Sequence, residues 1–189
     1  AKGEVLQLKD NINKMIANLR DTTRANKEQD WLKTNLAKFS GMMQGQRSIA
    51  SLARLVMSEL TPLVLAQQGL LYVLENEEDT PMLQLLSSYA FESRKQLSNR
   101  FALGEGLVGQ CALEKKTILV TDVPGEYLSI RSGLGKAPPA NVVVLPVLFE
   151  GQLKAVIELA SFQEFTPIHI TFLDQLVGNT RVITPGHGA

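Results

Sequence analysis

The sequence predicts an α+β fold in which an antiparallel sheet is flanked by helices and preceded by a long coiled-coil helix. Apolar residues recur every three to four positions near both ends of the chain, as they do in amphipathic helices. Between these segments, strand-like runs are separated by short turn sequences, which favours hairpins over crossover connections. We therefore expect a sheet that is at least partly antiparallel, with the flanking helices covering one face.

Residues 1–47 have the spacing of a coiled-coil seam. The heptad positions are apolar at first and then polar. The apolar seam residues are Val5, Leu8, Ile12, Met15 and Leu19, and the next seam positions are Thr22, Asn26 and Gln29. A second apolar series, Leu32, Leu36, Phe39 and Met43, follows in a different phase. The pattern predicts a parallel homodimer with a pliable joint at residues 22–30, although one amphipathic helix could also pack within its own chain.

The middle of the chain begins with a helix and a hairpin. Residues 48–64 are amphipathic, with Ser48 as the predicted N-cap and Pro62 near the end. Two strands follow, at residues 69–75 and 82–91, and the acidic segment between them predicts a tight turn.

The second half alternates helix and strand. The glycine-rich "GEGLVGQCALEKK" predicts a short helix, and "TILVTDV" predicts a strand. After a long loop at residues 124–139, two strands at 141–150 and 152–161 form a hairpin around Gly151. A closing helix covers residues 166–177, with Thr166 as N-cap and Pro167 at its first position.

Composition excludes several classes of protein. The 189 residues include 19 Lys and Arg and 19 Asp and Glu, so the basic excess of a nucleic-acid-binding protein is absent. No apolar run reaches the roughly 18 residues of a membrane span, and the N-terminus lacks a signal-peptide core. One cysteine supplies neither a disulfide nor a metal cluster. We expect a cytoplasmic chain without metal, cofactor, nucleic-acid or membrane contacts, compatible with a membrane-anchored receptor whose span lies upstream.

Three segments resemble the GAF domain, a small sensory fold related to PAS. They are "GEGLVGQCALEKKTILVTDVP", "NVVVLPVLFEGQLKAVIELAS" and "FTPIHITFLDQLV". The stretch from "YLSIRSGLGK" through the last hairpin further resembles GAF domains of bacterial hybrid sensor histidine kinases, and "LKDNINKMIANLRD" resembles the end of a HAMP segment. The resemblance implies a HAMP-like signalling helix at residues 1–47 and a GAF domain at 48–178. The terminal residues 179–189 are expected to form a flexible tail.

The same resemblance implies a sensory part of a two-component histidine kinase rather than an enzyme. The N-K-F-D-E signature of cyclic-nucleotide-binding GAF domains is absent from the sequence. In bilin-binding relatives a histidine follows the attachment cysteine, whereas Cys111 is followed by Ala112 and Leu113 and the nearest later histidine is His169. A histidine box and an ATP-binding lobe are also absent. GAF proteins that reduce methionine sulfoxide use several cysteines, whereas this chain has one.

Two motifs have a functional and a packing interpretation. Gly104, Gly106 and Gly109 could cradle a phosphate at a helix N-terminus, but neither a following Lys-Ser/Thr nor a preceding Rossmann strand accompanies them. A tight turn that needs close packing is the favoured interpretation. Cys111 could be a reactive thiol, but it lies on an apolar helix face, which favours a buried side chain.

The long loop is the predicted ligand site, because loops of this length in a compact domain are usually functional. Glu158 is an acidic residue within the otherwise apolar run "VIELA" and is a second candidate. The predicted ligand-binding residues are Tyr127, Ser129, Arg131, Ser132 and Glu158. The loop could equally close an apolar core without a ligand, which would make the domain a structural dimerisation spacer. On the closing helix, His169 and Asp174 are expected on the solvated face.

Overall fold

The computed structural model describes residues 2–44, 48–90, 99–123, 130–132 and 135–178. The chain divides into two compact units, Ala1–Ser40 and Gly41–Ala189. The first unit is formed by the long helix that the sequence predicts, and the second contains the sheet and the remaining helices.

Helix α1 (Lys2–Gln44) contains 43 residues without interruption. At 1.5 Å per residue it is about 65 Å long. The polar segment at residues 22–30 stays helical, and local side-chain interactions support it. The Thr22 hydroxyl donates to the Asn18 carbonyl at 2.9 Å, and Arg24 pairs with Glu28 at 3.3 Å. The change of phase at this segment is therefore a change of side-chain pattern and not a backbone break.

The second unit is built on a six-stranded sheet. Its helices are α2 (Ile49–Leu63), α3 (Gly106–Glu114) and α4 (Pro167–Leu176). Its strands are β1 (Gln68–Glu77), β2 (Thr80–Tyr89), β3 (Arg100–Ala102), β4 (Ile118–Thr121), β5 (Ile130–Ser132), β6 (Gly135–Ala137), β7 (Asn141–Phe149) and β8 (Gln152–Ser161). The large sheet has the order β3-β2-β1-β8-β7-β4, and β5 and β6 form a separate pair. Neighbouring strands in both sheets are antiparallel, which confirms the predicted α+β class.

Both predicted hairpins are present, and both turns use two residues with positive φ. Glu78 and Asp79 have φ values of 48° and 65° in the first turn, and Glu150 and Gly151 have 50° and 76° in the second. Two successive positive φ angles match the right-handed twist of the paired strands. Strand β3 and the β5–β6 pair were not predicted.

The predicted N-caps are confirmed. The Ser48 hydroxyl accepts the Ser51 amide at 3.4 Å, and the Thr166 hydroxyl accepts the His169 amide at 3.3 Å. Pro167 occupies the first turn of α4, where its missing N–H costs nothing.

The helices cover both faces of the sheet, so the expectation of one covered face is wrong. Gly69 lets β1 approach α2 so closely that an added Cβ would collide with the Thr61 side chain. The next residue, Leu70, points to the other face and belongs to an apolar cluster with Val108 and Cys111 of α3. Successive strand residues alternate between faces, so α2 and α3 lie on opposite sides of the sheet.

Candidate functional site

The three glycines form the turn that leads into α3. Gly104 and Gly106 have φ values of 83° and 62°, which residues with a Cβ rarely adopt. The Gly104 amide donates to the Gly109 carbonyl at 2.8 Å, and the Glu105 amide donates to the Ala102 carbonyl at 3.1 Å. A Cβ on Gly109 would collide with the Ala102 carbonyl. The glycines therefore allow two backbone segments to pack together.

The same turn is poorly suited to a phosphate. Two of its amides are already bonded to backbone carbonyls. The Glu105 carboxylate also lies there and accepts the Ala102 amide at 2.8 Å. A negative side chain at this helix end occupies the place where an anion would otherwise be attracted.

Cys111 is fully buried in the apolar cluster on the α3 side of the sheet. Burial, and to a smaller extent the negative charge of Glu114, raises the pKa of the thiol to about 12. The thiol is therefore protonated at neutral pH and is shielded from reagents. The geometry supports the packing interpretation of this residue.

Glu158 lies in β8 at the centre of the sheet and is only 7% exposed. In the strand register it is directly opposite Leu70 of β1 on one side and Val144 of β7 on the other. Both neighbours belong to the apolar cluster under α3. Directly opposed residues share a face, so the carboxylate lies on the α3 face among apolar side chains. A carboxylate in such a place needs polar partners, since burying a charge is costly.

Tyr72 is a titratable residue close enough to Glu158 for the two to interact electrostatically. It lies two residues after Leu70 in β1, diagonally across from Glu158. Burial, and then the negative charge of Glu158, raises the pKa of the Tyr72 hydroxyl far above its ordinary value. The Tyr72 ring meets Phe101 edge to face, with centroids 5.4 Å apart and an angle of 75°. The α3 face therefore combines a buried carboxylate and a protonated phenol within an apolar surrounding.

Only one of the five predicted ligand residues has a side chain that the structure describes. Arg131 and Ser132 lie in β5, opposite Lys136 and Gly135 of β6, and only their backbone is described. Tyr127 and Ser129 lie outside the described residues. Their grouping with Glu158 stays a prediction.

The expectation for the closing helix was wrong at Asp174. This residue is 4% exposed, and its carboxylate accepts the Thr117 hydroxyl at 3.1 Å. This hydrogen bond joins α4 to the segment that precedes β4 and helps to hold the helix in place. His169 is half-buried, and burial lowers the pKa of its imidazole.

Among the described residues, no group of three or more His, Cys, Asp or Glu side chains could hold a metal ion. Within the same ranges, none of the helices is long and apolar enough to cross a membrane.

The comparisons with known proteins agree with the architecture. The family model described as GAF domain matches residues 46–183. The chain belongs to the GAF domain family. GAF domains are general sensory and regulatory modules. In this GAF domain, α3 packs on the face of the sheet that carries Glu158. No curated protein matches the sequence significantly.

Several solved GAF structures share the fold. The GAF domain from Acinetobacter phosphoenolpyruvate-protein phosphotransferase is 16% identical, with a TM-score of 0.59 over 82% of this chain and 90% of that one. The GAF domain of A. Aeolicus nlh2, in an inactive state, is 16% identical, with a TM-score of 0.58 over 81% of this chain and 93% of that one. The free methionine-R-sulfoxide reductase from Neisseria meningitidis, in complex with its substrate, is 15% identical, with a TM-score of 0.59 over 75% and 81%. At these identities the likeness concerns the fold alone.

Proposed function

We propose that this GAF domain is the signal-transducing module of a two-component histidine kinase. In this proposal it binds a small molecule and relays the binding through a parallel homodimer of α1, which continues a HAMP-like signalling segment. One observation carries the proposal: a long, uninterrupted helix with an exposed heptad seam is joined in sequence to a sensory fold.

The seam is well exposed in the single chain. Its residues retain 69% (Val5), 60% (Leu8), 47% (Ile12), 62% (Met15) and 65% (Leu19) of their accessible surface. Fully burying one such side chain is worth roughly 1.5–3 kcal/mol. A second copy offers the same stripe in the same spacing, so two α1 helices can cover each other's seam.

The continuous backbone of α1 supports the relay. A helix without a break moves as a rigid element, and paired helices can shift by small translations or rotations between two packed arrangements. The seam positions at residues 22–30 are polar, so the two helices bury little apolar surface there. A change in helix packing therefore costs least in this segment. This is the pliable joint of the proposal.

Glu158 and Tyr72 support the sensory half of the proposal. A carboxylate and a phenol on an apolar sheet face give a binding site a few polar groups that fix the orientation of a ligand. We infer a small, partly apolar ligand that offers hydrogen-bond donors to Glu158. The residues of the long loop, Tyr127, Ser129, Arg131 and Ser132, are proposed to complete this site.

We propose no catalytic role for this chain. The chain has a single cysteine, and that thiol is buried and protonated at neutral pH. Sulfoxide reduction at cysteine needs a thiolate and a partner thiol to resolve the oxidised form. We propose that phosphotransfer chemistry belongs to other domains of the parent protein, because this sequence contains neither a histidine box nor an ATP-binding lobe.

The second candidate function is a ligand-free spacer. The dense packing on the α3 face favours it, because Leu83, Val108, Cys111, Val142 and Val144 are at most 2% exposed. A spacer needs the same α1 dimer but no ligand. The two functions therefore differ in one observable, a small molecule retained by the native protein.

The relay can be tested in the full-length kinase with Ile12→Glu, which places a charge in the seam. We expect autophosphorylation to change several-fold, because like charges at the centre of a helix pair separate the two chains. Asn13→Glu is the matched control, since the neighbouring residue lies off the seam and should leave the rate unchanged. Equal rates for both variants and the unaltered kinase would refute the relay.

A further inference from the structure

The heptad seam of α1 continues past its last apolar residue to a polar one. Val5, Ile12 and Leu19 are spaced by seven residues, and the next position in this series is Asn26. The helix is uninterrupted from Lys2 to Gln44. Asn26 therefore lies on the same stripe as the three apolar residues, at the a position of the fourth heptad.

The polar neighbours of Asn26 are already bonded within the helix. The Thr22 hydroxyl, one turn earlier, donates to the Asn18 carbonyl at 2.9 Å. Arg24 and Glu28, which lie off the seam, pair with each other at 3.3 Å. In the part of the chain that the structure describes, the side-chain amide of Asn26 has no hydrogen-bond partner. Its donors and acceptor are thus available to a second helix.

The charges beside the seam indicate what that second helix is. Glu4 immediately precedes Val5, and Lys9 immediately follows Leu8. These are g and e positions five residues apart, which face each other across the seam when two copies run parallel and in register. Opposite charges at this pair favour a second copy of this chain as the partner.

We propose that Asn26 sets the orientation, register and two-chain stoichiometry of the α1 dimer by hydrogen bonding to Asn26 of the second copy. The inference rests on the proposed dimer, and it makes Asn26 the residue that determines how the two helices pair. In a parallel, in-register pair the two amides meet and satisfy each other. In a pair slipped by one heptad, one amide would face Leu19 and the other Lys33, and in an antiparallel pair of the seam Asn26 would face Leu8. In each case the hydrogen bonds between the two amides are lost, which is costly.

The test combines sedimentation with disulfide trapping. Met15→Cys in a Cys111→Ala background places the only thiol on the seam, where parallel, in-register chains bring the two Cα atoms within the roughly 7 Å that a disulfide allows. We expect near-complete cross-linking and a dimer. Adding Asn26→Leu should lower the cross-linking yield several-fold or produce trimers and larger species. Asn13→Leu, which adds the same side chain off the seam, should retain the dimer and the yield.

Two outcomes overturn the inference, and they can be told apart. A dimer of Asn26→Leu with unchanged stoichiometry and cross-linking yield would overturn the role of Asn26 and leave the proposed dimer intact. A chain with native Asn26 that sediments as a monomer at every concentration would overturn both.

Discussion

Ser87 carries a buried hydroxyl that has no hydrogen-bond partner among the described residues. It lies in β2 and is 7% exposed, so the folded state bears most of the cost of desolvating the hydroxyl. We expect Ser87→Ala to raise the free energy of unfolding by about 1 kcal/mol. Ser88→Ala, at the exposed neighbouring position, should change it by less than about 0.5 kcal/mol. Urea denaturation measures both, and destabilisation by Ser87→Ala would contradict the account.

Cys111 gives a prediction for reactivity and for alkaline stability. Its pKa is raised to about 12 from the ordinary value of 9.0, so the contribution of the protonated thiol is full below about pH 9 and is lost as the pH rises towards 12. We expect a thiol reagent to label the native protein on the order of 100-fold more slowly than the denatured protein. Cys111→Ala should also lose less stability between pH 9 and 12 than the unaltered chain. Rapid labelling of the folded protein would contradict the packing role.

At the residue scale, the sequence reveals a residue that is out of character with its neighbours, but it does not reveal contacts between residues on different strands. Glu158 could be identified because an acidic residue interrupts an apolar strand. Tyr72 could not, because its proximity to Glu158 depends on the register between β1 and β8, which are far apart in the sequence. Asp174 was misplaced because its burial results from the Thr117 hydrogen bond, a tertiary contact that helical periodicity does not include.

Helix α3 depends on the absence of a side chain at Gly109. An added methyl group would meet the Ala102 carbonyl and would also crowd the Gly104 backbone at 3.1 and 3.2 Å. These neighbours are backbone atoms, which have little room for adjustment, so we expect Gly109→Ala to lower the free energy of unfolding by about 2–3 kcal/mol. Gln110→Ala, which removes only an exposed hydrogen bond to Glu114, should cost at most about 0.5 kcal/mol. Thermal denaturation compares the two, and equal melting temperatures would contradict the close packing.

At the element scale, periodicity and turn chemistry were sufficient for long elements. The two hairpins and the capped helices were predicted because their alternation and their Ser, Thr, Pro and Gly signals are local. Strand β3 and the β5–β6 pair have three residues each, too few for alternation to be visible. Their existence depends on pairing with other segments, as β3 pairs with β2.

For the whole molecule, the order of the motifs identified the GAF fold, while the layers of the fold were only partly predicted. The expectation of helices on one face overlooked that β8 is buried at every position from Ala155 to Ser161. A strand that is apolar on both faces indicates cover on both sides. The proposed dimer of α1 is argued from the seam and not from the sheet, and the relay depends on its two-chain stoichiometry.

Native mass spectrometry of the purified chain tests the proposed dimer most directly. We predict a dimer that carries a small molecule released on denaturation, and a monomer for Ile12→Glu, with Asn13→Glu as the dimeric control. A dimer without added mass would favour the spacer function. A monomer of the unaltered chain at every concentration would contradict the relay through α1.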